Sequence, residues 1–596
     1  MTDDLIELNR PPLVPRTHPF SDFVIAQGPL RSRLTEMDGL RKIELGAADL
    51  HLRGRIQAIE DGLFMGVAPI AGELLVGTMP YSRKTPLGGK IRNGLTGQYV
   101  NMARKAGGSL TIGGDCFGMV PLFLWRGEAG ALLSSQLHLI AIALNAAGLP
   151  VRVDLSSMIG AWFVDNSLAI QQSTRAALIE GAEMIRADEE VVISKDGLHL
   201  HASEPQTHEP VTRDEYKDLI KVGAQEIRDN LSAVVNSGRH TVATLTGGRD
   251  SRMIFAGLVS LGLEREVAFS TRDIDDGDMQ IATGLVSRYG GAFEAQRVPY
   301  STLPVDPRRS FDRHRSTFFG AYHDYKGVGG AAVDDKHTIA LIGGCGEVYR
   351  GFLSRRYDAD LVARPFSREN FEALVAGHAS WKKFFPEEAG DLWREALFET
   401  MAGLPGETLA DRLEEHYFHF RNRLHFGASS TAAHPGRLPV NPLMSPTLKT
   451  LAARVPASVR ASGAIVFDVT RELDETVAYL PYAKSGPEAF SAHGFHTPSR
   501  YDGAPPSLEP DLDLWQAAAR KRSGLRLNKP PYRSREAYNA AMTAALFERL
   551  ADDARVGPFV TPKLQRRFSW LQRDKKKFRT VWLSRLASAH DVLSYN

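Results

Sequence analysis

The feature that most constrains this chain is a change of rhythm near residue 216. Before it, apolar runs are short and bounded by Gly, Asp or Pro. LFMGVAPI, ELLVGTM, GSLTIGG, VPLFLW and GALLSS, between Gly54 and about His201, read as strands of a layered sheet. QLHLIAIALNAAG interrupts them with helical spacing and stops at a glycine. After residue 216 strand and helix alternate. HTVATL leads through TGGRDS into SRMIFAGLVSLGL, and EVAFST leads into DMQIATGLVSRYGG, stopped by Gly290 and Gly291. HTIALIGG repeats the strand-to-glycine form, and from about Asp360 the pattern is mainly helical. Alternation of this kind predicts an α/β fold with a doubly wound parallel sheet, which binds ligands at the carboxyl ends of its strands. HASEPQTHEPVTRDE, polar with two prolines, reads as a linker ending near Thr212, where a helix starts. Two domains are therefore expected, 1–210 and 211–596. Residues 1 to about 50, dotted with prolines, read as an irregular lead-in.

Composition narrows the function. A chain of 596 residues exceeds one ordinary core. Its 72 Lys and Arg stand against 70 Asp and Glu, a net charge of +2. That lacks the basic excess of a nucleic-acid binder, so no nucleic-acid partner is expected. No run approaches the roughly 18 apolar residues of a membrane span. The two cysteines, Cys116 and Cys345, are far apart and outside any CxxC pair, so they build neither a disulfide framework nor a zinc ribbon. A cytoplasmic setting fits this usage. The start, MTDDLIELNR, is acidic and lacks the apolar core of a signal peptide.

Leu245-Thr-Gly-Gly-Arg-Asp-Ser251 carries the most chemistry. It joins a buried strand to a helix through Gly247 and Gly248, which let a ligand approach the backbone. The unpaired amides of the first helical turn, around Asp250 and Ser251, suit a pyrophosphate. Thr246 and Ser251 add hydroxyls. Asp250 would repel bare phosphate, so its presence points to a cation between them. An ordinary turn with Asp250 as a helix cap would look similar. Neither GxxxxGK[ST] nor GxGxxG is present here.

TGGRDS resembles the SGGxDS pyrophosphate loop of the N-type ATP pyrophosphatases, with Thr246 for the first serine. The resemblance implies cleavage of ATP to AMP and pyrophosphate. A second turn, Leu341-Ile-Gly-Gly-Cys-Gly-Glu-Val-Tyr-Arg-Gly351, is similar to the SGxGxDE turn of the asparagine synthetase group. Glu347 falls on that motif's metal-holding Asp, Gly343 on its first glycine, Cys345 on its second, Ile342 on its serine and Val348 on its final Glu. The similarity implies Mg²⁺ held jointly by Asp250 and Glu347. It also implies ATP contacts from Leu245 to Ser251, from Gly343 and Gly344, and from Ser270 at the end of the next strand. Arg249 and Arg252 flank the loop, and Arg252 is a candidate for phosphate or carboxylate contact.

In the first half, Gly113-Gly-Asp-Cys-Phe-Gly-Met-Val-Pro-Leu-Phe123 resembles the D-x-x-G-x-x-P-L-[FY] run of class II glutamine amidotransferase domains. SSQLHLI, VDLSSMIGAWFVDN and EGAEMIRADEEVVIS follow in that domain's order. The whole is thus similar to the asparagine synthetase superfamily. That implies a layered αββα amidotransferase-like domain of N-terminal-nucleophile type, followed by the pyrophosphatase domain. Residue 2 is Thr2, however, where the amidotransferase needs an N-terminal cysteine. The chain therefore looks like members without the glutaminase step, such as β-lactam synthetases and lasso-peptide cyclases.

YLPYAKSG, with Lys484, resembles the late lysine segment of these enzymes, and RLPVNP upstream looks like their R-x-PFLD segment. The resemblance implies that Lys484 neutralises charge near the transition state. Tyr349, just beyond Glu347, is the candidate for proton transfer. The expected function is an AMP-forming amide ligase that adenylates a carboxylate of a peptide or small molecule and captures it with an amine. Ammonia-dependent amidation of a metabolite or sugar, and an inactive nucleotide-binding scaffold, are the alternatives. A precursor peptide or partner protein suits the basic, aromatic-dotted QRRFSWLQRDKKKFRTVWLSRL, and a homodimer stays open.

Overall fold

The computed structural model describes residues 10–11, 20–105, 107–163, 168–202, 209–271, 277–293, 307–323, 338–376, 384–428, 438–483, 506–511, 513–514, 532–566 and 579–595. Its first part is built on two antiparallel sheets of six strands. One runs in the order Ala182–Met184, Phe123–Gly127, Gly130–Ser134, Phe23–Gln27, Ala48–Leu52 and Arg41–Glu44. The other runs Gly197–Ala202, Glu189–Ser194, Leu110–Gly114, Gln98–Arg104, Gly62–Ile70 and Glu73–Tyr81. Ile25, Leu50 and Leu132 from the first sheet and Val67, Val100 and Ile112 from the second belong to one buried cluster. The Leu137–Ala146 helix, expected from its spacing, packs on the Gly130–Ser134 and Phe23–Gln27 strands.

Within residues 1 to about 50, the described stretch from Phe20 onward is not the irregular lead-in expected. Phe23–Gln27, Arg41–Glu44 and Ala48–Leu52 are strands, and Phe23–Gln27 lies in the interior of its sheet. The Ala48–Leu52 strand hides its character because Asp49 and His51 sit in it fully buried. Asp49 is tolerated there because Arg31 and Lys42 pair with it at 2.8 and 3.0 Å.

A helix starts just after Thr212, as expected. Thr212 caps the Arg213–Val235 helix in a reciprocal box with Glu215, which fixes two otherwise unpaired backbone donors. That helix packs on the Gly62–Ile70 and Glu73–Tyr81 strands of the first part. A five-stranded, wholly parallel sheet follows, in the order Ala292–Phe293, Ala268–Ser270, Thr241–Thr244, Ile339–Leu341, Leu438–Val440. The chain starts in the middle, winds one way and then reverses. Thr241–Thr244 and Ile339–Leu341, neighbours in the sheet, therefore lead into connections that diverge, and ligands of such sheets lie in the crevice this opens.

The final described helix, Arg579–Leu593, returns to the first part. Trp162 Nε1 donates to the Arg585 carbonyl at 3.0 Å, and His138 Nε2 meets the Tyr595 hydroxyl at 2.6 Å. Arg315 Nε donates to the buried Asp591 carboxylate at 2.9 Å. Among the described residues no helix is long and apolar enough to cross a membrane.

Candidate functional site

The two glycine turns expected to carry chemistry leave the adjacent central strands side by side. In the first, Leu245 is buried and its N–H donates to the Ser270 carbonyl at 2.8 Å, joining the ends of two neighbouring strands. Ser270 itself is buried. Thr246 N–H donates to Ser251 Oγ at 3.1 Å, the two hydroxyls lie 3.0 Å apart, and Gly248 N–H donates to Thr246 Oγ1 at 3.2 Å. The loop is thus folded on its own hydroxyls before any ligand arrives. Gly248 caps the Arg249–Ser260 helix in extended conformation, without a side-chain cap. Gly247 N–H is taken by the Asp278 carboxylate at 2.8 Å. An acidic oxygen thus occupies one of the donors expected to face an anion. Asp278 opens the Asp278–Arg288 helix, and in the sequence it carried only the sign of a helix-start acid.

Gly247 also admits no side chain. A Cβ there would lie 2.4 Å from the Ala483 Cβ, and Ala483 N–H donates to the Gly247 carbonyl at 3.1 Å. The segment before Lys484 is therefore laid directly on the loop; Lys484 lies outside the described residues. Arg252 makes this possible, and not by binding phosphate or carboxylate as expected. It is fully buried and donates to the carbonyls of Val477, Leu480 and Pro481 at 3.1, 3.0 and 2.6 Å, with Tyr482 stacked 4.2 Å from its guanidinium. One helix thereby offers Asp250 to the site and clamps the 477–482 segment with Arg252. Gly247→Ala should force that segment off the loop. A loss of about 1–3 kcal/mol in urea unfolding is expected from the overpacking, together with loss of nucleotide-dependent activity. Full activity in the variant would show that the Ala483 contact is incidental.

The second turn closes on Asp250. A Cβ on Gly343 would lie 3.1 Å from the Asp250 Cβ, and one on Gly346 would lie 2.7 Å from Asp250 Oδ1. Gly344 is equally confined, since a Cβ there would lie 2.0 Å from Asn441 Oδ1. Between them Cys345 takes φ 73°, a strained setting for a residue with a side chain. It is the position at which the resembling motif has its second glycine. Cys345 Sγ lies 3.8 Å from Met119 Sδ of the first part, and burial pushes its thiol well up.

Asp250 and Glu347 converge on one guanidinium. Arg350 Nη2 lies 2.9 Å from Asp250 Oδ2 and 3.1 Å from Glu347 Oε1. Tyr417 donates to Glu347 Oε2 at 2.5 Å. Asp250 Oδ1 is enclosed and has no hydrogen-bond partner among the described residues, although 18% of the side chain is open. Burial raises the Asp250 carboxyl above its ordinary value, opposed first by Arg350, with the neighbouring Glu347 charge pushing the same way as burial. Arg249 at the helix start is lowered to about 10, chiefly by burial and next by the Arg350 charge. A buried carboxylate oxygen without a donor, beside a second carboxylate, fits a hard cation with oxygen ligands. Among the described residues no group of three His, Cys, Asp or Glu is arranged for a metal, so such a cation would need oxygens from a ligand as well.

Tyr349 does not stand at this pair. It is fully buried, its hydroxyl donates to the Leu443 carbonyl at 2.6 Å and accepts from Ser445 N–H at 3.0 Å, and burial pushes its pKa well up. It pins the turn to the 443–445 backbone in place of the proton-transfer role expected. The tyrosine beside Glu347 is Tyr417, 70 residues further on, and no local signal reveals it. Arg350 was legible only as a basic residue three positions after Glu347.

The chain matches no family model and no curated protein.

Proposed function

We propose that this protein is an ATP-dependent, AMP-forming ligase that joins a carboxylate to an amine. We assign its first part to the layered αββα amidotransferase-like fold and its second to the N-type ATP pyrophosphatase fold. The observation that carries the reading is the convergence of Asp250 and Glu347, from turns on adjacent parallel strands, beside a loop preformed on Thr246 and Ser251. The left-handed Cys345 supports the alignment of Glu347 with the metal-holding position of the resembling turn.

In this mechanism the loop amides and hydroxyls from Thr246 to Ser251 hold the β- and γ-phosphates, with Arg249 beside them. Asp250 and Glu347 would hold Mg²⁺, which supplies charge neutralisation to the pyrophosphate. Asp278 leaves Gly247 N–H when phosphate takes that donor. A substrate carboxylate oxygen bonds to the α-phosphorus, the bond from that phosphorus to the bridging oxygen breaks, and pyrophosphate departs. An amine nitrogen then bonds to the acyl carbon and loses a proton, and the acyl–oxygen bond breaks to release AMP. Lys484, delivered by the segment clamped to Gly247, would balance negative charge on the acyl oxygen and departing phosphate.

The test is carboxylate-dependent exchange of labelled pyrophosphate into ATP, followed by AMP release when an amine is added. Formation of ADP and phosphate in its place would overturn the assignment. A companion measurement concerns the first part. Thr2 lies outside the described residues, and burial pushes the thiols of both Cys116 and Cys345 well above their ordinary range. Incubation with glutamine should release no glutamate, and turnover abolished by Thr2→Ala would contradict this.

A further inference from the structure

Residues Tyr417–Ala428 form a π-helix of 12 residues. π geometry is rare, occurs mostly as single turns and is frequent at functional sites. His419, Asn422 and Arg423 bind the first part: His419 Nδ1 accepts from Ala187 N–H, Asn422 reaches Met119 Sδ, and Arg423 donates to the Gly118 carbonyl. Tyr417 turns to Glu347, and Arg421 lies between Gln171 of the first part and the Phe352 ring.

Arg421 is the anomaly. It is 9% exposed, yet its one hydrogen bond runs from Nη1 to the neutral Gln171 amide oxygen at 3.0 Å. Its Nε is enclosed without a partner, and among the described residues no carboxylate lies within ion-pair distance. Arg252 and Arg423, buried more deeply still, spend their guanidiniums on backbone carbonyls. A buried charge without such partners is costly. Moreover, Arg355, Arg356 and Arg421 all crowd one ring, their guanidinium carbons 5.6, 4.3 and 5.2 Å from the centre of Phe352. Glu414, which approaches this turn, is spent on its backbone, accepting from Phe352 N–H and Ser354 N–H at 2.7 Å each. The Phe352 ring also lies 4.7 Å from the Tyr417 ring, so the cluster adjoins Glu347.

We propose that Arg421, with Arg355 and Arg356 around Phe352, forms a subsite for a second anionic oxygen group on the acid that the enzyme activates. The inference rests on the ligase reading and names its substrate class: an acid bearing a further carboxylate or phosphate. Guanidinium forks match both groups in paired hydrogen bonds. An arriving anion relieves the mutual repulsion of the three cations and completes the solvation of Arg421.

The test is calorimetric titration of the full chain with glutarate, 3-phosphoglycerate and butyrate, each with and without Mg²⁺ and an unreactive ATP analogue. At least one dianion should bind roughly tenfold or more tightly than butyrate, and comparing glutarate with phosphoglycerate tells carboxylate from phosphate. Arg421→Gln should erase that preference while changing the affinity of the ATP analogue less than about twofold. If Arg421→Gln does not fold, the exposed Arg355→Gln should still reduce the preference. Equal binding of butyrate and the dianions, or no dianion binding, would overturn the proposal. So would variants that weaken the ATP analogue in place of the acid, because the arginines would then serve the triphosphate. A protein that binds dianions at Arg421 but never the ATP analogue would leave the subsite standing and remove the ligase reading.

Discussion

Asp250→Ala should abolish ATP–pyrophosphate exchange while leaving the protein at least as stable as before. The two expectations come from the same geometry. Asp250 holds a carboxylate oxygen in an enclosed place without a donor, next to a second carboxylate, and its pKa is raised first by burial. A raised folded value means that the group favours the folded state below the ordinary carboxylate range. It loses that contribution as pH rises through the folded value, so at neutral pH its charge opposes folding. Alanine removes that opposition, and Arg350 keeps Glu347 as a partner. Catalysis fares otherwise, because in the proposed mechanism one of the two carboxylates that would hold Mg²⁺ on the pyrophosphate is gone. A cost of about 3 kcal/mol or more is expected, on the order of 10²-fold or greater in exchange rate. Thermal unfolding and exchange measured on the same preparation check both halves. A falling Tm with retained exchange would make Asp250 a structural partner of Arg350 and nothing else. Glu347→Ala should also eliminate exchange, and normal exchange there would show that the second turn is read in the wrong register.

Lys484→Met carries the other large effect. The variant keeps the bulk of the stem and removes the charge. Normal folding and retained ATP binding are expected, with product formation and AMP release reduced by about 3 kcal/mol, on the order of 10² to 10³ in rate. Lys484→Arg should not restore it fully, because a planar fork does not replace a compact ammonium. The reason to look here is the anchoring of the preceding residues. Ala483 is hydrogen-bonded to Gly247, and Arg252 ties down Val477, Leu480 and Pro481. A full rate of AMP release from the methionine variant would take Lys484 out of the mechanism.

What the sequence disclosed and what it concealed follow from range. Strands such as Gly62–Ile70 and helices such as Arg249–Ser260 announce themselves through local periodicity and flanking glycines, and so does the Thr212 cap. The Ala48–Leu52 strand did not, because its polar residues are neutralised by Arg31 and Lys42 from neighbouring segments. The same limit governs the site. The nearness of Asp250 to Glu347 was legible because each follows a strand through a glycine turn. Tyr417 at Glu347, the Asp278 carboxylate on Gly247 and the inward commitment of Arg252 are tertiary facts with no signature in spacing. Tyr349 misled for the converse reason: adjacency in sequence to Glu347 says nothing of which way a side chain leaves a tight turn.

The return of the Arg579–Leu593 helix to the first part bears on the order in which the molecule can be made. Trp162 waits 423 residues for its carbonyl acceptor and His138 waits 457 for the Tyr595 hydroxyl. Domains of a nascent chain ordinarily fold as units, amino-terminal first, while synthesis continues. Here the first sheets emerge from the ribosome with an indole N–H and a histidine ring still lacking their covers. Closure over them is a loop of very long range, and contacts of that kind form slowly. The first half therefore reaches its finished surface only once the Arg579–Leu593 helix has left the ribosome, so its maturation waits on residues 423 and 457 positions downstream and not on its own sequence alone.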